Sequence, residues 1–173
     1  MFTSTPFYQV PVSFASYRTY VFAAAFIVGN LLLPQVTHLV PKGGLIFLPI
    51  YFFTLIGAYK FGLPVGLLTA LLSPVVNNLL FGMPPAFVLP AILIKSCLLA
   101  IIAAMVAGRF KKLSLLHLVV VVLAYQIIGS MAEWLITGSS DAAVQDFTTG
   151  IPGMLIQIFG GYLLLVKMKN YGH

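Results

Sequence analysis

The sequence predicts an all-α membrane protein, a six-transmembrane-helix bundle. Three observations carry that prediction. Hydrophobic residues fill 61% of the 173 positions and charged residues only 7%, where a soluble domain carries about 25% charged residues. Nine basic and three acidic residues cannot clothe a soluble surface, and the mean hydropathy of +1.08 agrees. The apolar residues also come in long unbroken runs, such as LLAIIAAMVAG and LLHLVVVVLAYQIIG. These lack the two-residue alternation of a membrane barrel strand. Inside hydrocarbon a segment that is not part of a closed barrel satisfies its backbone only as a helix. The whole chain, residues 1–173, reads as one integral membrane domain.

Six segments follow in order. The first, 17–33, stops at Pro34. The second, 45–59, is shorter than the roughly 20 residues a bilayer asks for. It either begins nearer Leu39 or is partly re-entrant. The third, 63–81, carries a Ser73-Pro74 break and, beyond it, the amides Asn77 and Asn78. The fourth is 86–110, the fifth 113–137 and the sixth 146–168. The longest connections are 34–44 and 138–145. The N-terminal stretch has no basic region ahead of its apolar run, so it reads as retained rather than as a cleaved leader.

Charge then sets an expected topology. With the N-terminus in the cytoplasm of a bacterial plasma (inner) membrane, Arg18, Lys60, Arg109, Lys111, Lys112, Lys167 and Lys169 all fall on the cytoplasmic side. Lys42, His38, Asp141 and Asp146 fall outside. This is the positive-inside pattern, and it returns both termini to the cytoplasm. The formal charge of +6 is therefore read as a topology signal, not as a nucleic-acid surface.

Two charges remain within segments, Lys95 and Glu133. Lys95 lies roughly 13 Å below the outer end of its segment at 1.5 Å per residue. A bare charge at that depth costs on the order of 3 kcal/mol. Lys95 therefore contacts an anionic ligand, pairs with Glu133, or snorkels to water. Asn77 and Asn78 are adjacent on a helix and cannot both face one pocket. One is a candidate ligand contact and the other a bond to a neighbouring helix or backbone. Glu133 and Gln157 are further candidates for hydrogen bonds to a ligand. Trp134 is either an interface anchor or part of a ligand wall. Gln126 reads as interhelical glue, Cys97 as packing, and Tyr51, Phe52 and Phe53 as core or lipid-facing. Gln35, His38 and Lys42 lie in the first outer connection and could act as a lid. Pro49, Pro90 and Pro152 occur in the outer parts of segments, where freed carbonyls are tolerated beside a cavity. Together these residues place an expected recess in the outer half.

No phosphate-binding GxxxxGK[ST] loop, HExxH or cysteine–histidine ligand cluster occurs, and the serines have no histidine and acid partners. No enzyme activity, metal or cofactor is expected.

The stretch KFGLPVGLLTALLSPVVNNLLFGMPP, residues 60–85, resembles the same region of substrate-binding S components of energy-coupling factor (ECF) vitamin transporters. The glycine-rich start, the mid-helix break and the FGxP turn carry the resemblance. It implies a six-helix subunit that captures a vitamin or related small molecule near the outer face; Lys95 would suit an anionic one. It also implies a transmembrane scaffold subunit and two cytoplasmic ATPases as partners. Such subunits dock through small residues on the first helix. Here the nearest matches are Ala25–x–x–x–Gly29 and, in another register, Ala24–Val28. The rival reading is a non-catalytic structural scaffold of the cell-shape type, with the same helix count and no ligand.

Overall fold

The computed structural model of the chain describes residues 5–170, apart from the side chains of residues 142, 143 and 146. The expected outer charge on Asp146 lies outside the described side chains. Among the described residues five helices are long and apolar enough to cross a membrane: Tyr17–Thr37, Leu63–Phe81, Leu89–Phe110, Leu115–Thr137 and the composite Ile151–Met168. The protein is an all-helical membrane protein. Helix α1 is Tyr17–Thr37. It runs through Pro34 instead of stopping there, because a proline one turn from a helix end removes a single late bond.

The second expected segment differs most. Residues 45–59 are not one helix. The chain instead makes α2 (Gly43–Phe47), a tight 3₁₀ turn (Pro49–Tyr51) and α3 (Phe52–Phe61). Leu48 interrupts the path with a left-handed backbone, φ +46°. A branched side chain pays for that region sterically, and here Leu48 is buried, so packing holds it. Helix α4, Leu63–Phe81, has the expected bounds. Helices α5 (Leu89–Phe110) and α6 (Leu115–Thr137) start a few residues later than expected. Ser114, with its hydroxyl accepting from the Leu116 N–H, is the N-cap that sets the start of α6. The last segment is also divided. Residues 140–145, expected in a loop, join the first residues of the expected sixth segment in α7 (Ser140–Thr149), followed by α8 (Ile151–Leu155), a wide-turned π stretch (Ile156–Gly160) and α9 (Gly161–Met168). Pro152 sits at the second position of α8, where its missing N–H costs nothing.

A broken helix inside a bundle leaves N–H groups without partners. Asn30, in the middle of α1 and wholly buried, supplies what α3 lacks. Its Oδ1 accepts the Phe53 N–H at 3.2 Å. Its Nδ2 donates to Thr54 Oγ1 at 3.1 Å and to Ser73 Oγ at 3.2 Å. One amide thus caps α3 from another helix and ties α1, α3 and α4 together beside the Pro74 break.

One end of the bundle gathers seven of the nine basic residues, at the start of α1 and the ends of α3, α5 and α9. This is the grouping expected from sequence. We call it the basic end. The N-terminal residues 5–12 are stitched across it. Thr5–Pro6 pairs antiparallel with Lys112–Leu113, with Thr5 opposite Leu113. The Val10 and Val12 N–H groups donate to Lys60 and Phe61 carbonyls at 2.8 and 3.2 Å. Gln9 Nε2 donates to Ala58 O at 3.1 Å. Lys60 is buried there, donating to Tyr8 O and Lys169 O at 3.2 and 3.3 Å, with its Nζ 5.0 Å from the Phe7 ring centre. The cation thereby satisfies a carbonyl at the α9 terminus.

Substituting Asn30→Ala leaves the Phe53 N–H and two hydroxyls without their shared partner. A buried donor stripped this way costs about 1–3 kcal/mol. A thermal-shift measurement in detergent should show Tm falling by several degrees, while Leu32→Ala on the exposed face of α1 should move it little. Equal Tm values for the two variants would remove Asn30 from this role.

Candidate functional site

At the end opposite the basic residues, a cavity of about 150 Å³ opens between the helix ends. Its wall draws on many elements. Pro34 and His38 come from the end of α1, Gly44 and Leu45 from α2, and Pro49 and Ile50 from the 3₁₀ turn. Asn77 comes from α4, residues 83–85 from the α4–α5 connection, and Val88 and Ile92 from the start of α5. The prolines contribute to the shape: Pro49 starts the 3₁₀ turn, Pro34 lies in the last turn of α1, and Pro84 and Pro85 keep the α4–α5 connection out of a helix, so several chain segments turn around one space. Short α2 lies over this end and meets α8 closely. A Cβ at Gly153 would stand 2.5 Å from the Phe47 carbonyl carbon, so only glycine lets the two approach.

Two of the expected contacts line the cavity, Asn77 and His38. Asn77 is buried, and its Oδ1 accepts from Gln35 Nε2 at 3.4 Å. Gln35 thus holds the amide from α1 and is not itself in the wall. Asn78 points elsewhere. Its Nδ2 donates to Pro84 O at 2.7 Å, which pins the α4–α5 connection that forms one side of the cavity. The division of labour between the two amides is the one their adjacency requires. Lys42 is exposed at the start of α2 with φ +59°.

No protein-family model matches the sequence, and no curated protein or solved structure matches the chain.

Lys95 lies one turn deeper than Ile92, and it is buried rather than snorkelling. Its Nζ stands 2.5 Å from Glu133 Oε2, with the two side chains 2% and 12% exposed. Of the three fates open in the sequence, the pair with Glu133 is the one observed. Neither residue lines the cavity. The stem of Lys95 runs against Gly129, where a Cβ would stand 2.4 Å from Lys95 Cγ. Glycine one turn before Glu133 therefore makes room for the lysine that Glu133 neutralises. Tyr125, Gln126, Gly129 and Glu133 occupy neighbouring positions along the inner side of α6.

Gln157 is buried in the π stretch, where its Oε1 accepts from Tyr125 Oη at 2.9 Å. Its Nε2 has no partner among the described residues. Tyr125 in turn packs on Tyr51, ring centres 5.5 Å apart. Gln157 thus joins the Tyr125 layer and is not in the cavity wall. Trp134 is half exposed and faces a separate apolar groove with Ile127, Met131, Val144 and Phe147. On α1, Ala24, Ala25 and Val28 are exposed, whereas Gly29 is turned inward, its hydrogen face against the Phe53 ring. Among the described residues no group of three or more His, Cys, Asp or Glu side chains is placed to hold a metal ion.

Asn30 and the strap of residues 5–12 were not legible as functional elements. The signal for Asn30 was available: a lone amide in the middle of an apolar helix needs partners, and a Ser-Pro break elsewhere offers one.

The ion pair yields a test. Lys95→Ala or Glu133→Ala leaves one buried charge unanswered, which costs about 3–5 kcal/mol for a buried pair. The double variant Lys95→Met, Glu133→Leu should recover most of the lost Tm. A double-mutant cycle showing additive losses would mean that the two side chains do not stabilise one another.

Proposed function

We propose that the chain is the substrate-capturing subunit of an ECF-type importer, taking a small micronutrient into the cavity at the end away from the basic residues. The observation that carries this reading is the cavity itself, roofed by α2 and walled by the ends of α1, α4 and α5. By the positive-inside rule that end faces out of a bacterial plasma membrane, with both termini cytoplasmic. A solute would arrive there from outside. The broken stretch from Gly43 to Phe61 would complete a sixth crossing.

The wall supports a particular kind of solute. It offers one imidazole, His38, and one amide, Asn77, among aliphatic and proline surface. Such a wall fits a small, largely apolar molecule oriented by one or two hydrogen bonds. An anionic group, which an isolated Lys95 would favour, reaches that amine only by displacing Glu133. With no nucleotide-binding motif in the chain, energy for uptake would come from a scaffold subunit and two cytoplasmic ATPases. The outward face of Ala24, Ala25 and Val28 is the candidate docking surface, with Gly29 left to internal packing. A cell-shape scaffold would have no use for a roofed cavity.

Native mass spectrometry of the detergent-purified chain against a vitamin panel tests the proposal. One panel member, or a co-purified small molecule, should bind, and Ile92→Trp, which fills the cavity, should weaken it at least tenfold, a loss of about 1.4 kcal/mol or more. Asn77→Leu should weaken it as well. No retained molecule across the panel, or full retention by Ile92→Trp, would dismiss the capture reading.

A further inference from the structure

A second cleft lies at the basic end, between the N-terminal strap and the start of α1. It measures about 420 Å³ and is lined by Val10, Val12, Tyr17, Arg18, Val21, Phe22 and Phe61. Its floor is firm: Phe22 stacks on Phe61 with ring centres 4.1 Å apart, and Val12 is fixed by its N–H bond to Phe61 O. Arg18 is exposed at its rim and makes no hydrogen bond or ion pair among the described residues. Among the described residues no acidic side chain is placed to answer this charge: Glu133 lies near the far end of α6, and Asp141 and Asp146 belong to α7. The surrounding end carries six further cations. A topology signal explains a cation here, but it does not require an apolar cleft beside it.

We propose that this cleft binds an anionic phospholipid, its phosphate on Arg18 and one acyl chain along Val21, Phe22 and Phe61. The chemistry is the pairing of both halves of such a lipid. The guanidinium presents a planar fork of donors to phosphate oxygens, and the aromatic and valine wall continues from it toward the hydrocarbon. Basic recesses of this kind at a membrane surface favour acidic headgroups over zwitterionic ones. This site is independent of which solute, if any, occupies the other end.

The test is native mass spectrometry of the intact chain titrated with dioleoyl phosphatidylglycerol or dioleoyl phosphatidylcholine. The first phosphatidylglycerol should bind about fivefold more tightly, the size expected of one cation near an acidic lipid surface. Arg18→Gln should abolish that preference, and Arg18→Lys should keep part of it. Val21→Trp, which fills the cleft and leaves the charge, should weaken phosphatidylglycerol binding too. Equal binding of the two lipids would overturn the proposal, as would a loss in Arg18→Gln no larger than in Lys167→Gln. So would glycerol 3-phosphate binding as tightly as the lipid, which would leave the acyl chain without a role.

Discussion

A helix that begins in the interior of a membrane bundle exposes N–H groups where no water can reach them, and in this chain the Asn30 side chain meets that need. Because Asn30 Oδ1 accepts from Phe53, α3 can start at mid-bundle instead of at the membrane surface. Because Asn30 Nδ2 reaches both Thr54 and Ser73, the start of α3 is fixed against α1 and α4 together. The chain above α3 is then free to turn sharply through Leu48 and Pro49 and to lay α2 over the bundle. The cavity exists because that stretch is not a straight helix. The buried amide and the recess are linked in this way, although Asn30 does not line it.

The interior reads as a series of polar levels, most of them answered from within the bundle, with Gln157 Nε2 and Ser96 Oγ exceptions among the described residues. At the basic end Lys60 and Gln9 meet the carbonyls of α3 and α9. Nearer the middle come Asn30, Thr54 and Ser73, and on the α5–α6 side Lys95 with Glu133. An ion pair of this sort contributes little net stability, since desolvation offsets much of its attraction. Its effect is on arrangement. The lysine stem occupies the space that Gly129 leaves, which favours the register in which α5 and α6 meet here.

How much of this was visible beforehand varies from residue to residue, for physical reasons. Helix α4 was fully legible, because a glycine start, an apolar run and an αL glycine at its end are all local signals. The second segment was flagged as too short, but its division was not, since a left-handed Leu48 is dictated by tertiary packing. Asn77 could be nominated for the recess from its depth in a helix, and His38 only as part of the outer connection over it. Lys95 could not be assigned, because pairing and ligand binding demand the same buried cation, and only the distance to Glu133 separates them. The strap of residues 5–12 left no periodic trace: its bonds run from backbone to backbone, which any sequence can make.

The parts of the recess differ in how firmly they are held. Parts of its sides are tied to long helices, as with Asn77, which accepts from Gln35, and the α4–α5 connection, whose Pro84 carbonyl accepts from Asn78. Its roof is a five-residue helix between two residues in left-handed conformation, Lys42 and Leu48. A helix that short has no stability of its own, and α2 keeps its place through contacts such as that of Phe47 with Gly153. Local opening draws on the least stable segments of a fold. The five-residue α2, held by side-chain and glycine contacts rather than by its own length, is the part of the wall whose displacement would leave the Asn30 and Lys95 levels beneath it intact.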